Sequence, residues 1–214
     1  VYSEVHATVG WLLAQPVDAD RNFRASVTLA GLAPDLDAAT YLLGPNWFSR
    51  YHHVWTHNLF FGLAVSCIAA SCSRERRTRT FLFTQLAFWA HYFGDYFFSR
   101  MPIAAFWPLS DAKFGYVGAL ALWHPFNHLL VWVSLVALAL VALRLKRTPL
   151  EILSPNLDAR FVNFFFRRRD TPCGDCGKLG NETCATCGKP VCGNHAAMGE
   201  GFEAVCVDCK GTRD

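Results

Sequence analysis

The chain has 214 residues, of which 52% are hydrophobic, 14% aromatic and only 17% charged. Globular domains carry about 25% charged residues, so the composition argues against an ordinary water-exposed domain. The net charge of +3 is modest and comes from local clusters, which leaves no basic footprint for nucleic acid. The apolar residues crowd the part before residue 150, and seven of the nine cysteines lie within residues 173–209. The expected fold class is all-α: a polytopic membrane helical bundle with a small C-terminal zinc-finger module. The expected domains are a membrane-embedded part over 1–147, a basic-aromatic linker over 148–172 and a two-zinc module over 173–210.

Residues 4–15 predict a short helix carrying His6, broken by Pro16 and the polar run from Asp18 to Asn22. Residues 23–33 predict a second, ended by Pro34. Neither reaches the ~20 residues of a full span. Residues 35–56 read as a loop turning at Gly44-Pro45-Asn46. Apolar helices are expected over 57–73 and 80–98, separated by a basic loop at 74–79, and 116–143 is the longest apolar run. Pro125 suits the first turn of a helix starting there. The opening residues, Val1-Tyr2-Ser3-Glu4, lack the basic region of a cleavable signal peptide.

The loops divide by charge. One side, with Arg21, Arg24, the 74–79 loop and residues 144–169, holds 13 Lys and Arg, against three (Arg50, Arg100 and Lys113) on the other. The positive-inside rule makes the first side cytoplasmic. The cysteine-rich tail then sits where thiols stay reduced. His6, Asp35, Asp37, His57, His91, Asp95, His124 and His128 all fall at the opposite end.

Asp35 and Asp37 stand one residue apart after Pro34, and His52 and His57 follow five apart. Oxygen and imidazole donors at such range suit a catalytic Zn, Mn or Fe site. An Asx-turn, a helix cap or surface-loop histidines are the plainer alternatives for these residues. His53 reads as a neighbour of the ligands. His91 and Asp95 share one helix face at i, i+4. An ionisable pair near mid-bilayer costs about 2.5–3.5 kcal/mol per charge and is normally paired or functional. His124 and His128 repeat that spacing among Trp123 and Trp132, and read as an interfacial pair.

Taken together, His6, Pro34-Asp35-Leu36-Asp37, His52 with Thr56-His57, His91-x-x-x-Asp95 and Trp107-Pro108-Leu109-Ser110 resemble the membrane-bound metal-dependent hydrolases, also described as LexA-binding, inner-membrane-associated hydrolases. The resemblance covers about residues 5–145. That family has an Arg-Gly pair after the first loop histidine and a Ser after the second; here His53-Val54 and Asn58 stand there. The His-x-x-x-Asp helix is also similar to one in zinc-dependent phospholipases C. The resemblance implies a bacterial-type inner membrane and one or two divalent metals held by His6, Asp35, Asp37, His52, His57, His91 and Asp95. Asp35, Asp37 and His57 are the expected catalytic residues, and the expected substrate is a lipid-like ester or phosphoester cleaved by activated water. The competing reading is a non-catalytic membrane adaptor whose tail recruits a protein partner. Transport through the bundle fits less well, because the ligand-type residues gather at one end.

The tail carries Cys173, Cys176, Cys184, Cys187, Cys192, His195, Cys206 and Cys209 as four pairs. Eight such ligands fill two closed tetrahedral sites, so two structural Zn ions are expected. Interleaved pairing joins the first pair to the third and the second to the fourth; sequential pairing is the alternative. The spacing is similar to B-box or AN1-like fingers. In the linker, the run Phe161-Val162-Asn163-Phe164-Phe165-Phe166-Arg167-Arg168-Arg169 fits either contact with anionic membrane lipids or a packed stop-transfer flank.

Overall fold

A computed structural model describes residues 1–15, 20–73, 76–166, 171–180, 182–199 and 203–211. The break expected at Pro16–Ala19, the loop residues Arg74 and Glu75, and Arg167–Arg169 lie outside these. The chain divides into two compact units: Val1–Leu13 with Ser26–Ser134, and Ala14–Ala25 with Leu135–Asp214.

The first unit begins with helix α1 (Ser3–Ala14) and takes in most of α2 (Arg21–Leu32). At twelve residues each they are about 18 Å long and fall short of a span. They cross closely, because a Cβ on Gly31 would stand 3.2 Å from the His6 carbonyl oxygen. The expected loop over 35–56 is in fact mostly helical. A 3₁₀ helix runs over Ala33–Leu43, with proline in its first turn, and Gly44 at φ 113° ends it. Then α3 (Pro45–Tyr51) starts on a proline. Proline is tolerated where a helix begins, because its missing N–H has no intrahelical partner there.

Helices α4 (Leu59–Cys72) and α5 (Arg77–Phe98) pack as a pair. The residues α4 buries are Gly62 and Ser66, one turn apart. A Cβ at Gly62 would lie 2.7 Å from the Phe88 ring, so only glycine admits that contact. Gln85 Nε2 donates to the Gly62 carbonyl and to Ser66 Oγ, both at 2.9 Å. Meanwhile Phe60, Leu63 and Ile68 of α4 are exposed. Small and polar residues thus lie inside this pair and large apolar residues outside it.

Helix α6 (Pro125–Leu145) carries the same signature further. Among the described residues it is the one helix both long and apolar enough to cross a membrane, and it buries little of itself. Trp132 is 66% exposed and Leu140 58%. A soluble core helix would bury them. The longest apolar run thus becomes helix only from Pro125; residues 116–124 form turns.

In the second unit the expected linker holds two helices, α7 (Leu150–Leu153) and α8 (Pro155–Phe166). Glu151 is buried and receives Arg24 in a two-pronged pair, Nε to Oε1 at 2.7 Å and Nη2 to Oε2 at 2.5 Å. Arg147 is wholly buried; its Nε donates to Gln15 Oε1 and its Nη1 to the carbonyls of Gly193 and Ala196. Arg24 and Arg147, counted above as loop charges, are therefore interior. Asp158 Oδ1 accepts from the Thr148 N–H and hydroxyl at 2.8 and 2.7 Å. Burial raises the Asp158 carboxyl to about 6 against those bonds.

Removing one member of a buried, hydrogen-bonded ion pair costs about 3–5 kcal/mol, because the other charge is stranded. Glu151→Ala is therefore expected to lower the denaturant midpoint of the second unit clearly. Exposed Arg144→Ala is expected to change it by less than about 0.5 kcal/mol. Equal midpoints for the two variants would refute the pair's role.

Beyond α8 lie three short antiparallel hairpins and a final turn of helix. They are β1–β2 (Thr171–Pro172 with Leu179–Gly180), β3–β4 (Glu182–Thr183 with Pro190–Val191) and β5–β6 (Ala196–Met198 with Ala204–Cys206), then α9 (Val207–Gly211).

Candidate metal centres

The 3₁₀ helix decides what the two aspartates do. At three residues per turn, residues two apart point about 120° from one another. Asp35 and Asp37 therefore approach the same histidine from different sides. Asp37 Oδ2 lies 3.1 Å from His57 Nδ1, while Asp35 Oδ1 lies 3.9 Å from His57 Nε2. Thr56 holds the two segments together. Its hydroxyl donates to the Pro34 carbonyl and accepts from the Asp37 N–H.

Asp95 is the hub of the cluster. Its Oδ2 stands 3.0 Å from His91 Nε2, 3.4 Å from His57 Nε2 and 3.5 Å from His53 Nε2. Its Oδ1 stands 3.3 Å from His6 Nε2. The i, i+4 spacing on α5 brings His91 and Asp95 to one face, and both are buried. Asp35, His57, His91 and Asp95 together form one four-donor group that could hold a metal ion.

The distances fit that use. A tetrahedral site with bonds of 2.0–2.1 Å to N and O has edges of about 3.3 Å. The two Nε2 atoms of His57 and His91 are 3.2 Å apart, and Asp95 Oδ2 is 3.4 and 3.0 Å from them. Asp35 Oδ1 is the loosest corner, at 3.9 and 3.7 Å. Its other oxygen, Oδ2, is buried without a hydrogen-bond partner.

The outer hydrogen bonds fix the tautomers. His91 Nδ1 faces the Gly31 carbonyl at 2.7 Å, and His53 Nδ1 faces the Met101 carbonyl at 3.0 Å. A carbonyl only accepts, so each Nδ1 carries a proton, and in the neutral imidazole each Nε2 presents a lone pair. His57 Nδ1 does the same toward the Asp37 carboxylate. As neutral rings, the three imidazoles turn lone pairs toward Asp95 Oδ2, and Asp95 Oδ1 accepts from the Val1 ammonium at 2.5 Å. Metal-binding histidines are oriented in this way by carboxylates and backbone carbonyls. Asp37 itself is buried, which pushes its carboxyl up. Hydrogen bonds from His52 and His57 outweigh that and hold it well below the usual carboxylate range.

A second group, Asp37, His52 and His57, could also hold an ion. It would need His57 Nδ1, whose proton Asp37 already accepts. One neutral imidazole offers one lone pair, so the two groups compete for His57.

His53 is the residue the sequence reading sets aside. It is buried, adopts φ 65°, and its carbonyl accepts from Ala104 N–H at 3.0 Å. A positive φ outside glycine is costly and persists where surrounding contacts over-determine it. Here the loop after α5 does so through Met101 and Ala104. Chain adjacency to His52 hid this. His6 lies outside both donor groups but stacks on His91 at a centroid distance of 3.6 Å. Asn58, where the resembled family has Ser, is buried as the cap of α4 and accepts from the Phe61 N–H. It supports the helix start. His124 and His128 join none of these groups; His128 lies beside Tyr2. Leu109 of the Trp107–Ser110 segment is exposed.

The tail forms two further donor groups: Cys173, Cys176, Cys192 and His195, and Cys184, Cys187, Cys206 and Cys209. This is the interleaved pairing. Each first pair sits on a matching turn, with Gly177 and Gly188 at φ 69° and 72° donating back to the Cys173 and Cys184 carbonyls. Only glycine takes that φ without strain. Cys176 and Cys192 Sγ lie 3.7 Å apart, as do Cys187 and Cys206. A tetrahedron with Zn–S bonds of 2.3 Å has edges of about 3.8 Å.

Crowding splits the thiols. Burial raises the Cys173 thiol, but N–H groups of Asp175, Cys192 and Cys176 outweigh it and bring it to about 6. Burial pushes Cys192, in the same group, to about 12, with the neighbouring Cys173 adding to it. The three thiols of this group and the four of the other cannot all ionise together without a cation. The groups could hold two metal ions, consistent with two zinc sites.

The sequence model of a family described as YdjM inner membrane protein matches residues 3–157. No curated protein and no solved structure matches the chain. The match ends before the cysteine-rich tail.

Proposed function

Since the chain belongs to the YdjM inner membrane protein family, we propose that it is an integral-membrane metal-dependent hydrolase with a cytoplasmic zinc module. The observation that carries this reading is the convergence of the His53, His57 and His91 Nε2 atoms on Asp95 Oδ2, with the outer nitrogen of each facing an acceptor. Asp95 Oδ1 takes the Val1 ammonium at 2.5 Å, while with the imidazoles neutral the face around Asp95 Oδ2 suits a metal cation. Asp35, His57, His91 and Asp95 would hold it, with His53 and His6 beside them. A divalent ion there supplies a Lewis acid and a means of ionising water near neutral pH.

The side chains divide the remaining work. Asp37 orients His57, and the Gly31 carbonyl orients His91. Asp35 is the one member of the four-donor group with appreciable access, its side chain 16% exposed while those of His57, His91 and Asp95 are at most 3%. Its Oδ2, buried and without a hydrogen-bond partner, is the acceptor left to take a proton from a water admitted to the site. The 3₁₀ helix that carries it exposes Leu36, Tyr41, Leu42 and Leu43. An entrance dressed with apolar side chains suits a lipid-like ester or phosphoester. The charge asymmetry of the loops supports a cytoplasmic tail.

General-base catalysis contributes about 10²–10⁴-fold. Asp35→Asn keeps a ligand oxygen but loses the proton acceptor. It is expected to lower turnover of lipid phosphoesters by about that factor while metal content stays near that of the parent. Turnover unchanged in the variant would overturn the role of Asp35. The absence of metal-dependent turnover on phosphoester and carboxyl-ester panels would favour the adaptor reading, in which the tail recruits a protein partner.

A further inference from the structure

We propose that α8 lies in the plane of the membrane and binds an anionic lipid surface. Helix α8 has two faces. Asp158 and Val162, one turn apart, are buried within the second unit. Leu157, Phe161, Phe164 and Phe165 recur at i, i+4, i+7 and i+8, the spacing of a single helix stripe. All four are exposed, Phe164 at 78% and Phe165 at 60%. The Phe161 and Phe165 rings meet tilted at a centroid distance of 4.5 Å and Phe164 meets Phe165 edge-on at 5.1 Å, so the aromatic surface is continuous. The packed-flank alternative required these rings to be covered by the chain itself, and they are not.

Two observations choose the occupant. The first is continuity: α6, the candidate span, ends at Leu145, ten residues before Pro155. Ten residues reach at most about 35 Å, so α8 cannot be far from the surface where α6 leaves the bilayer. The second is charge. Exposed Arg160 flanks the aromatic stripe, the sequence continues into Arg167-Arg168-Arg169, and Arg144 and Lys146 close α6. Among the described residues, the acids Glu151 and Asp158 are withdrawn: Glu151 pairs with Arg24, and Asp158 faces inward to Thr148. An aromatic face with basic residues beside it is the pattern of a helix seated at an anionic leaflet. The proposal rests on α6 spanning the bilayer, and not on the hydrolase reading.

The test uses the full chain in nanodiscs of equal phosphatidylcholine and phosphatidylglycerol. The photoreactive p-benzoylphenylalanine replaces Phe164 in one preparation and Trp132 of α6 in another. Irradiation is followed by mass spectrometry of adducts. The expected result is lipid adducts at both positions, with phosphatidylglycerol adducts in excess at Phe164 alone and that excess reduced in Arg160→Gln. Adducts at Trp132 but none at Phe164 would overturn the proposal, as would a cross-link from Phe164 to a second copy or another protein. Equal adducts of the two lipids at Phe164 would overturn the anionic specificity. No lipid adduct at either position would remove the span on which the proposal rests and so refute it.

Discussion

Chelation of the full chain is expected to expose the tail to trypsin while the helical part resists. Described tail residues bury only a small apolar cluster, Val191, Ala196, Ala204 and Val205 among Cys184 and Cys206. Its hairpins are two or three residues per strand. A segment of about 40 residues with so little core does not hold a fold without metal or disulfides. Its described cysteines are free thiols, so metal must supply the difference. Structural zinc contributes about 10–16 kcal/mol to comparable small domains near neutral pH. Mass spectrometry should find cleavage after Lys178 and Lys210 only once a strong zinc chelator is added, and Cys184→Ser should cleave there without it. A tail that resists trypsin in chelator would refute a metal-dependent fold. Arg147 holds the Gly193 and Ala196 carbonyls, flanking His195, so its contacts should be lost together with the first metal group.

Asp95→Ala is expected to empty the helical centre and leave the tail loaded. Asp95 is within 3.5 Å of the Nε2 atoms of His6, His53, His57 and His91. Without it the site offers neutral imidazoles and the loose corner Asp35, and loses the negative charge that balances a dication. Asp37→Asn should do less. Asp37 touches the outer nitrogen of His57, not the convergence point, and outer partners of metal-binding histidines typically change affinity by about 10–100-fold. A competition titration with a chromophoric chelator separates the two variants. Unchanged affinity in Asp37→Asn would mean that His57 is oriented by something else. Loss as complete as in Asp95→Ala would place Asp37 among the direct ligands.

Legibility in the sequence followed the range of the contacts involved. The His91 and Asp95 pair was legible because four residues make one helical turn. The tail groups were legible because thiol pairs must be close in sequence to share a turn, and the interleaving was one of two simple options. His53 was not legible, because its role depends on a left-handed backbone and on a carbonyl at Met101, 48 residues away. The division of labour between Asp35 and Asp37 follows from a 3₁₀ helix where turn residues suggested a loop. Helices α7 and α8 escaped because their basic surroundings looked like a linker, whereas Glu151 and Asp158 are buried against partners. The start of α6 at Pro125 was visible in the proline. The apolar run before it was not a guide, since hydropathy reports composition and not backbone.

The measurement that tests the central claim most directly is elemental analysis of the purified full chain beside its Asp95→Ala variant. Two four-donor groups in the tail and one in the helical part call for about three metal equivalents per chain. The variant should hold about two. Two equivalents in both would contradict the account, because all the metal would then belong to the tail and the converging histidines would hold none.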